Sequence, residues 1–321
     1  DLMRAAYPLW FALEAEAGEQ LYVKTGGLDI GFPDEPSFRT TKASADAARL
    51  HYEDLTQDEV RDRFPQFRLD DEMHALYQED AGFLRASRCV LAHTRLAQVR
   101  GTTVIAQTPV MDILPTAQGV TVKTATEAYS GDRLIITAGS WAKAILAKQR
   151  IPLPLRVMPC QLAFFAATPS DAFVPGRFPT FFFHLNGSYG EEPYGIPDDG
   201  QGVKVTTFYG WDTVSDPSEV DYTPSEAWVE GIRQFSRHYL PDADAPLVST
   251  RRCLYTVTPD KHFVIDRHPD YPQIVIGAGF SGHGFKFSTL VGKILAELAL
   301  QGKTEHDISL FQLTRSFSHQ V

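Results

Sequence analysis

The sequence predicts an α/β domain interrupted by a second, mainly antiparallel β-sheet domain. Three observations carry this. Strands feed glycines and then helices near residues 133–148 and again near 273–298, the order of α/β units. Residues 151–210 change texture, with many Phe, Tyr, Pro and Gly and alternating β-branched residues, which suits an antiparallel sheet. A length of 321 residues suits two domains at roughly 150 residues each.

Taken in chain order, residues 2–17 place Leu2, Ala6, Leu9, Trp10 and Leu13 on one helical face. Residues 21–30 read as two short strands bent at Gly26-Gly27. Thr56-Gln57-Asp58-Glu59 is a capping box, and its helix should stop near Arg63-Phe64 because Pro65 cannot continue it. Arg85 to Val99 reads as an amphipathic helix with Val90, Leu91, Leu96 and Val99 inward, ended by Gly101. Thr103-Val104-Ile105-Ala106 is then expected to be a strand, followed by strands at 120–124 and 133–137 and a helix at 142–148. Thr223-Pro224-Ser225-Glu226 reads as a second capping box, opening a helix with Trp228, Ile232, Phe235 and Tyr239 on one face.

Composition excludes several function classes. Hydrophobic residues at 43% and aromatics at 12% supply a core, so general disorder is excluded. A net charge of −10 without a basic run argues against nucleic acid or an anionic membrane as partner. No apolar stretch approaches the roughly 18 residues of a membrane helix, and Asp1-Leu2-Met3-Arg4 does not open a signal peptide. Cys89, Cys160 and Cys253 stand apart with no CxxC, which excludes a zinc knuckle and fits a reduced, cytoplasmic protein with buried thiols. With no Met at position 1, the chain is expected to begin partway into a longer product.

The most informative segment is Gln273 to Ser288, in which a strand enters, a glycine loop turns and a helix follows through Leu290, Val291, Ile294, Leu295 and Leu298. Gly277, Gly279 and Gly282 formally satisfy G-x-G-x-x-G. The dinucleotide reading is rejected, because that fingerprint needs a further strand with an acidic residue about 20 positions on. What remains is a loop where backbone can approach a flat ligand, then a helix N-terminus whose free amides favour an anion, with Lys286 adding a full charge.

Ala278-Gly279-Phe280-Ser281-Gly282-His283-Gly284-Phe285-Lys286 resembles the C-terminal motif of the monomeric sarcosine oxidase family, FAD-dependent amine oxidases of the D-amino-acid-oxidase-like superfamily. Arg252-Cys253-Leu254-Tyr255-Thr256 with Thr258-Pro259-Asp260, and His262 to Asp266, resemble that family's flavin-attachment segment. Lys24 to Leu28, Asp80 to Leu84, Thr137 to Trp141, Tyr194 to Pro197 and Gly202 to Lys204 are similar to its other signatures, in family order. The resemblance implies FAD, held through a thioether at Cys253. It places Lys286 on the substrate carboxylate, Tyr194 and Tyr255 beside the substrate, and Lys204 over the flavin as the cation that helps dioxygen react. It further implies cofactor contacts at Val110, Ala138, Gly139 and Trp141, and along the turn at Gly279, Phe280, Gly282, Gly284, Phe285 and Lys286. Taken singly, each residue also has a plainer reading: the tyrosines as half-buried strand residues, Lys204 as a lysine facing water.

The implied division is an FAD-binding domain at 1–22, 81–150 and 251–321, with a substrate domain at 23–80 and 151–250. The implied partners are an amino-acid-like secondary amine and dioxygen, giving an imine and hydrogen peroxide. Two departures stand out. The family opens with a strand–GxGxxG–helix unit, so a preceding segment or a second chain is expected to complete the FAD site. Its sarcosine-specific members carry a histidine where this chain has Phe208, which points to a bulkier or more apolar N-alkyl amino acid. The alternatives are a flavin dehydrogenase with another acceptor, and a non-catalytic binding protein that cannot hold FAD.

Overall fold

The computed structural model describes residues 1–185, 187, 189, 191–209 and 212–318, with the side chains of Glu191 and Tyr209 left aside. The chain opens on helix α1 (Leu2–Ala17), then strands β1 (Tyr22–Lys24) and β2 (Gly27–Gly31). Helix α2 (Pro36–Ala47), β3 (Glu53–Thr56), α3 (Gln57–Arg63) and β4 (His74–Gln78) follow. Next come β5 (Gly82–Leu84), α4 (Ala86–Val99), the meander β6 (Asp112–Pro115), β7 (Val120–Lys123) and β8 (Ala128–Gly131), then β9 (Leu134–Ile136) and α5 (Ala142–Lys148). The longest strands come later: β10 (Arg156–Phe165), β11 (Thr180–His184), β12 (Glu191–Ile196), β13 (Val203–Tyr209), helix α6 (Glu226–Tyr239) and β14 (Leu247–Val257). The chain closes with β15 (Val264–Arg267), β16 (Ile274–Ala278) and α7 (Ser288–Gln301).

Two layers organise these elements. In the first, β15-β16-β9 form a small sheet in which β16 runs parallel to β9. Trp10 and Leu13 of α1 pack with Leu290, Ile294, Leu295 and Leu298 of α7 in one core cluster, while Ala142 and Leu146 of α5 pack with Ile113 and Val120 of the meander in another. In the second layer, eight strands run in the order β14-β10-β13-β12-β11-β2-β4-β3, antiparallel except for β11 beside β2. Alternation along a strand gives this sheet two unlike faces. One face carries Leu28, Ile30, Phe181, Phe183, Val203, Val205, Ala163 and Phe165, which pack with Ile232, Phe235 and Tyr239 of α6.

The capping box at Thr56 forms as expected, with reciprocal bonds to Glu59, and α3 stops at Arg63. Three expectations need correction. Residues 103–106 form no strand; Val104 and Ile105 are about half exposed, and a β-branched run needs a neighbouring edge to become one. Helix α4 exists and buries Leu96 as expected, but the rest of its buried face is Cys89 and Ala92, whose small side chains allow close helix approach, and Val90, Leu91 and Val99 point to water. Helix α6 starts later than read. Asp221 takes the Thr223 amide, so Ser225 becomes the N-cap and receives the Trp228 amide at 3.2 Å. Among the described residues, no helix is long and apolar enough to cross a membrane.

Candidate active site

The other face of the large sheet gathers most of the candidate residues. Directly opposed residues in a ladder share a face, as do residues two apart along a strand. Lys204 stands opposite Ile196, Thr206 opposite Tyr194, and Phe182 opposite both Tyr194 and Asp29. Phe164 stands opposite Lys204, Cys160 opposite Cys253, and Met158 opposite Tyr255. One surface therefore presents Asp29, Phe182, Tyr194, Lys204, Phe208, Cys160, Cys253 and Tyr255. Aromatic contacts tie it together: Phe182 to Tyr194 at 6.3 Å, Tyr194 to Phe208 at 6.0 Å and Phe208 to Tyr255 at 5.9 Å between ring centroids. The Lys204 ammonium lies 4.6 Å above the Tyr194 ring, within cation–π range.

The glycine turn after β16 closes over this face. The Ser281 amide donates to the Thr256 carbonyl at 2.9 Å, pinning the turn to β14. Gly282 has φ 82°, and a Cβ there would meet the Tyr255 ring at 2.8 Å, so only glycine lets turn and ring approach this closely. Lys286 lies on the short 3-10 turn Phe285–Phe287, just ahead of α7 rather than on its first turn. Its carbonyl accepts from the Trp10 indole at 2.8 Å, which fixes the backbone. Lys286 is reachable by water yet densely surrounded, as expected of a cleft-lining residue; burial pulls its ammonium below the ordinary lysine range, and the field of Asp29 opposes that pull. Asp29 in turn meets His184 Nε2 at 3.1 Å, while His184 Nδ1 lies 3.2 Å from Ser37 Oγ.

The thiols differ sharply. Cys160 is buried, and its hydrogen bond with Cys253 together with burial pushes its thiol up. Cys253 is partly exposed and is drawn down to about 6 by the Cys160 hydrogen bond, helped by the Lys204 and Arg251 charges against the cost of burial. Tyr255 is raised by burial and by Tyr194 beside it, so it stays a neutral donor.

Val110, Trp141 and Phe285 are apolar yet exposed, Trp141 by 59%. Gly139 has open space where a Cβ would stand, and Ala138 precedes it on the turn into α5. The Thr289 hydroxyl, at the start of α7, is buried without a partner. Exposed apolar side chains and a glycine with open space beside it are the kind of surface that a flat aromatic group can cover. Gly279, Phe280 and Gly284 shape the turn itself, and the Gly284 position is closed off by the Phe280 ring. A separate groove of about 550 Å³ beside Arg150, His268 and Phe317 contains none of these residues.

Sequence reasoning missed Asp29, Phe182 and Cys160. Their parity within each strand was readable, but the pairing that brings six strands to one face was not.

The chain matches the family of FAD dependent oxidoreductases known as DAO over residues 1–298. It is 36% identical to monomeric sarcosine oxidase of Bacillus sp. (strain NS-129), over 97% of this chain and 80% of that protein. It is 30% identical to N-methyl-L-tryptophan oxidase of Salmonella arizonae, over 98% of this chain and 82% of that protein. Among solved structures it superposes on NikD, described as an unusual amino acid oxidase essential for nikkomycin biosynthesis, with TM-score 0.84, 25% identity, and 97% and 82% of the two chains covered. On fold, site and sequence together, the chain belongs to the DAO family of FAD-dependent oxidoreductases.

Proposed function

We propose that the protein is an oxidase of secondary amino acids, N-alkyl or cyclic, that yields an imine and hydrogen peroxide, with FAD attached at Cys253. The observation that carries this reading is the juxtaposition of a thiol, a lysine and three aromatic rings on one sheet face, beside a turn bearing a second lysine, Lys286. Bound FAD would accept the hydride from the carbon next to the amine nitrogen. The chain's residues do the rest. Lys286 pairs with the substrate carboxylate, whose charge compensates an ammonium that burial otherwise disfavours. Tyr194, Phe208 and Tyr255 border the amine and exclude water. Lys204 offers positive charge where dioxygen is reduced. Phe208 cannot donate a hydrogen bond, so apolar or cyclic substrates should match or exceed sarcosine. The names of the relatives, sarcosine and N-methyl-tryptophan oxidases, are consistent with this class. The division into a cofactor domain (1–22, 81–150, 251–321) and a substrate domain (23–80, 151–250) belongs to the same reading, with β14 bridging the two; cysteines present as free thiols support a cytoplasmic setting.

The test is oxygen consumption by the full chain with sarcosine, bulkier N-methyl and cyclic amino acids, and amines lacking a carboxylate, alongside intact mass and the visible spectrum. A charge-assisted bond of roughly 1.5–3 kcal/mol, lost so as to leave a carboxylate unpaired, predicts that Lys286→Ala lowers kcat/KM about 100-fold. Carboxylate-free amines should be poor substrates and indifferent to the change. Sarcosine as best substrate, with Lys286→Ala harmless, would overturn both the anchor and the specificity. Turnover without oxygen uptake would instead mark a dehydrogenase, and absence of bound flavin a binding protein.

A further inference from the structure

Cys160 and Cys253 are direct partners across β10 and β14, and both are free thiols. Opposed residues of an antiparallel ladder have Cα atoms about 4.5 or 5.5 Å apart, and both spacings fall inside the roughly 4.4–6.8 Å that a disulfide spans. Being opposed, the two sulfurs leave the sheet on the same side. The third cysteine, Cys89, is buried in α4 within the α1–α7 core. Their surroundings divide the labour. Cys253 is partly exposed, with the Lys204 and Arg251 cations near enough to favour its thiolate, whereas Cys160 is 1% exposed and enclosed with Cys253 and Tyr255 as its side-chain partners. An accessible nucleophile next to an enclosed thiol is the arrangement of a peroxide-reactive cysteine and its resolving partner.

We propose that Cys160 and Cys253 form a reversible disulfide in the flavin-free chain, with hydrogen peroxide as the oxidant. The Cys253 thiolate attacks one peroxide oxygen, the O–O bond breaks, hydroxide leaves and Cys253 becomes a sulfenic acid. The Cys160 sulfur then attacks the Cys253 sulfur. The S–O bond breaks, and the departing hydroxide takes the Cys160 proton as water. Two thiols lose two electrons, and one peroxide becomes two waters. A consequence rests on the flavin-anchor reading above: Cys253 has one sulfur, so this disulfide and a flavin thioether exclude each other. Peroxide released by working enzyme would close the attachment site of unloaded chains and shield it from irreversible oxidation.

The experiment uses the full chain, with flavin-free protein separated from flavinylated protein and checked by intact mass. It is treated with hydrogen peroxide, alkylated, and digested without reductant. The expected result is a Cys160–Cys253 peptide pair lighter than the two free peptides by two hydrogens, with Cys89 still alkylated, and full reversal by dithiothreitol. In Cys160→Ser, with folding checked by circular dichroism, dimedone should trap a Cys253 sulfenic acid that otherwise proceeds to sulfinic acid and resists reduction. If that variant does not fold, the peptide map of the parent chain decides alone. Cys160 remaining alkylatable while Cys253 is oxidised to sulfinic acid, or a disulfide through Cys89 or a second chain, would overturn the proposal. Offering FAD to the reduced and oxidised chains separates the two ideas. Covalent uptake only by the reduced chain supports both, and no covalent uptake by either overturns the anchor reading while the peptide map still decides the disulfide.

Discussion

A lysine ammonium is a compact, strongly hydrated charge, and what replaces its water decides what it can do. At Lys204 the replacement is the face of Tyr194, a weak partner that leaves the charge available to act on its surroundings. Two consequences can be measured separately. Dioxygen gains negative charge as it is reduced, while the C–H bond cleavage step places none on oxygen. Lys204→Met should therefore slow reoxidation of the reduced enzyme by orders of magnitude and change reduction by substrate far less. Equal losses in both half-reactions by stopped flow would assign Lys204 a structural role. The same cation also helps hold Cys253 acidic, after the larger effect of the Cys160 hydrogen bond. In the flavin-free parent, alkylation of Cys253 should rise through pH about 6 as the thiolate forms, and in Lys204→Met that rise should shift to higher pH.

At the scale of the element, strand β13 is placed by the turn that feeds it. Asp198 Oδ1 accepts the amides of Gly200, Gln201 and Gly202 at 2.7, 3.0 and 2.8 Å, and the Arg85 guanidinium grips Asp199 through two bonds of 2.6 Å. Gly202 has φ 91°, and a Cβ there would lie 2.7 Å from the Phe165 carbonyl oxygen, whereas Gly200, at φ 89°, has open space. A left-handed alanine costs about 1–2 kcal/mol. Gly200→Ala should lose about that much by urea denaturation, and Gly202→Ala distinctly more, because rigid backbone must also move. Equal losses would show that β10 and β13 slide apart freely. Much of this scale was legible in the sequence. Thr56 and Glu59 revealed their cap, and the apolar spacing of α7 revealed its buried face, because short-range hydrogen bonds and helical periodicity are written in neighbouring residues. The face of α4 was not, since Cys89 and Ala92 are small and rank behind Val90 and Leu91 on hydrophobicity alone. Nor was the fate of residues 103–106, because a strand depends on an edge that no local pattern specifies. Asp29 and Phe182 escaped for the same reason: the β11–β12 pairing sets Phe182 beside Tyr194, and the β2–β11 pairing adds Asp29.

Across the whole molecule, the last described segment is fastened to the turn that carries the chemistry. Arg315 donates to Asp260 through Nε at 2.7 Å and Nη2 at 3.2 Å, and to the His262 carbonyl at 3.0 Å, with the Phe317 ring beneath its guanidinium. Asp260 follows Thr258, whose hydroxyl lies 3.3 Å from that of Ser281 in the glycine turn. The pair is buried, with 11% of the Arg315 side chain and 4% of Asp260 accessible. Burial pushes the Asp260 carboxyl up, but Arg315, Thr258 and the His262 amide more than offset it, so it titrates below the ordinary range. A carboxyl depressed in the folded state contributes stability above its unfolded value, near ~3.9, and loses that contribution as pH falls through its folded value. Arg315→Ala removes the largest of the offsets to burial, leaving only Thr258 and the His262 amide, so the folded carboxyl rises. Breaking a buried pair this way should cost roughly 3 kcal/mol at neutral pH. The deficit should shrink between pH 7 and pH 4, as the stranded carboxylate takes up a proton in the variant while the parent's depressed carboxyl stays ionised and paired. Urea midpoints at pH 7 and pH 4 measure it. A gap between parent and variant that stays constant over that range would mean that Arg315 stabilises by packing on Phe317 rather than through its charge.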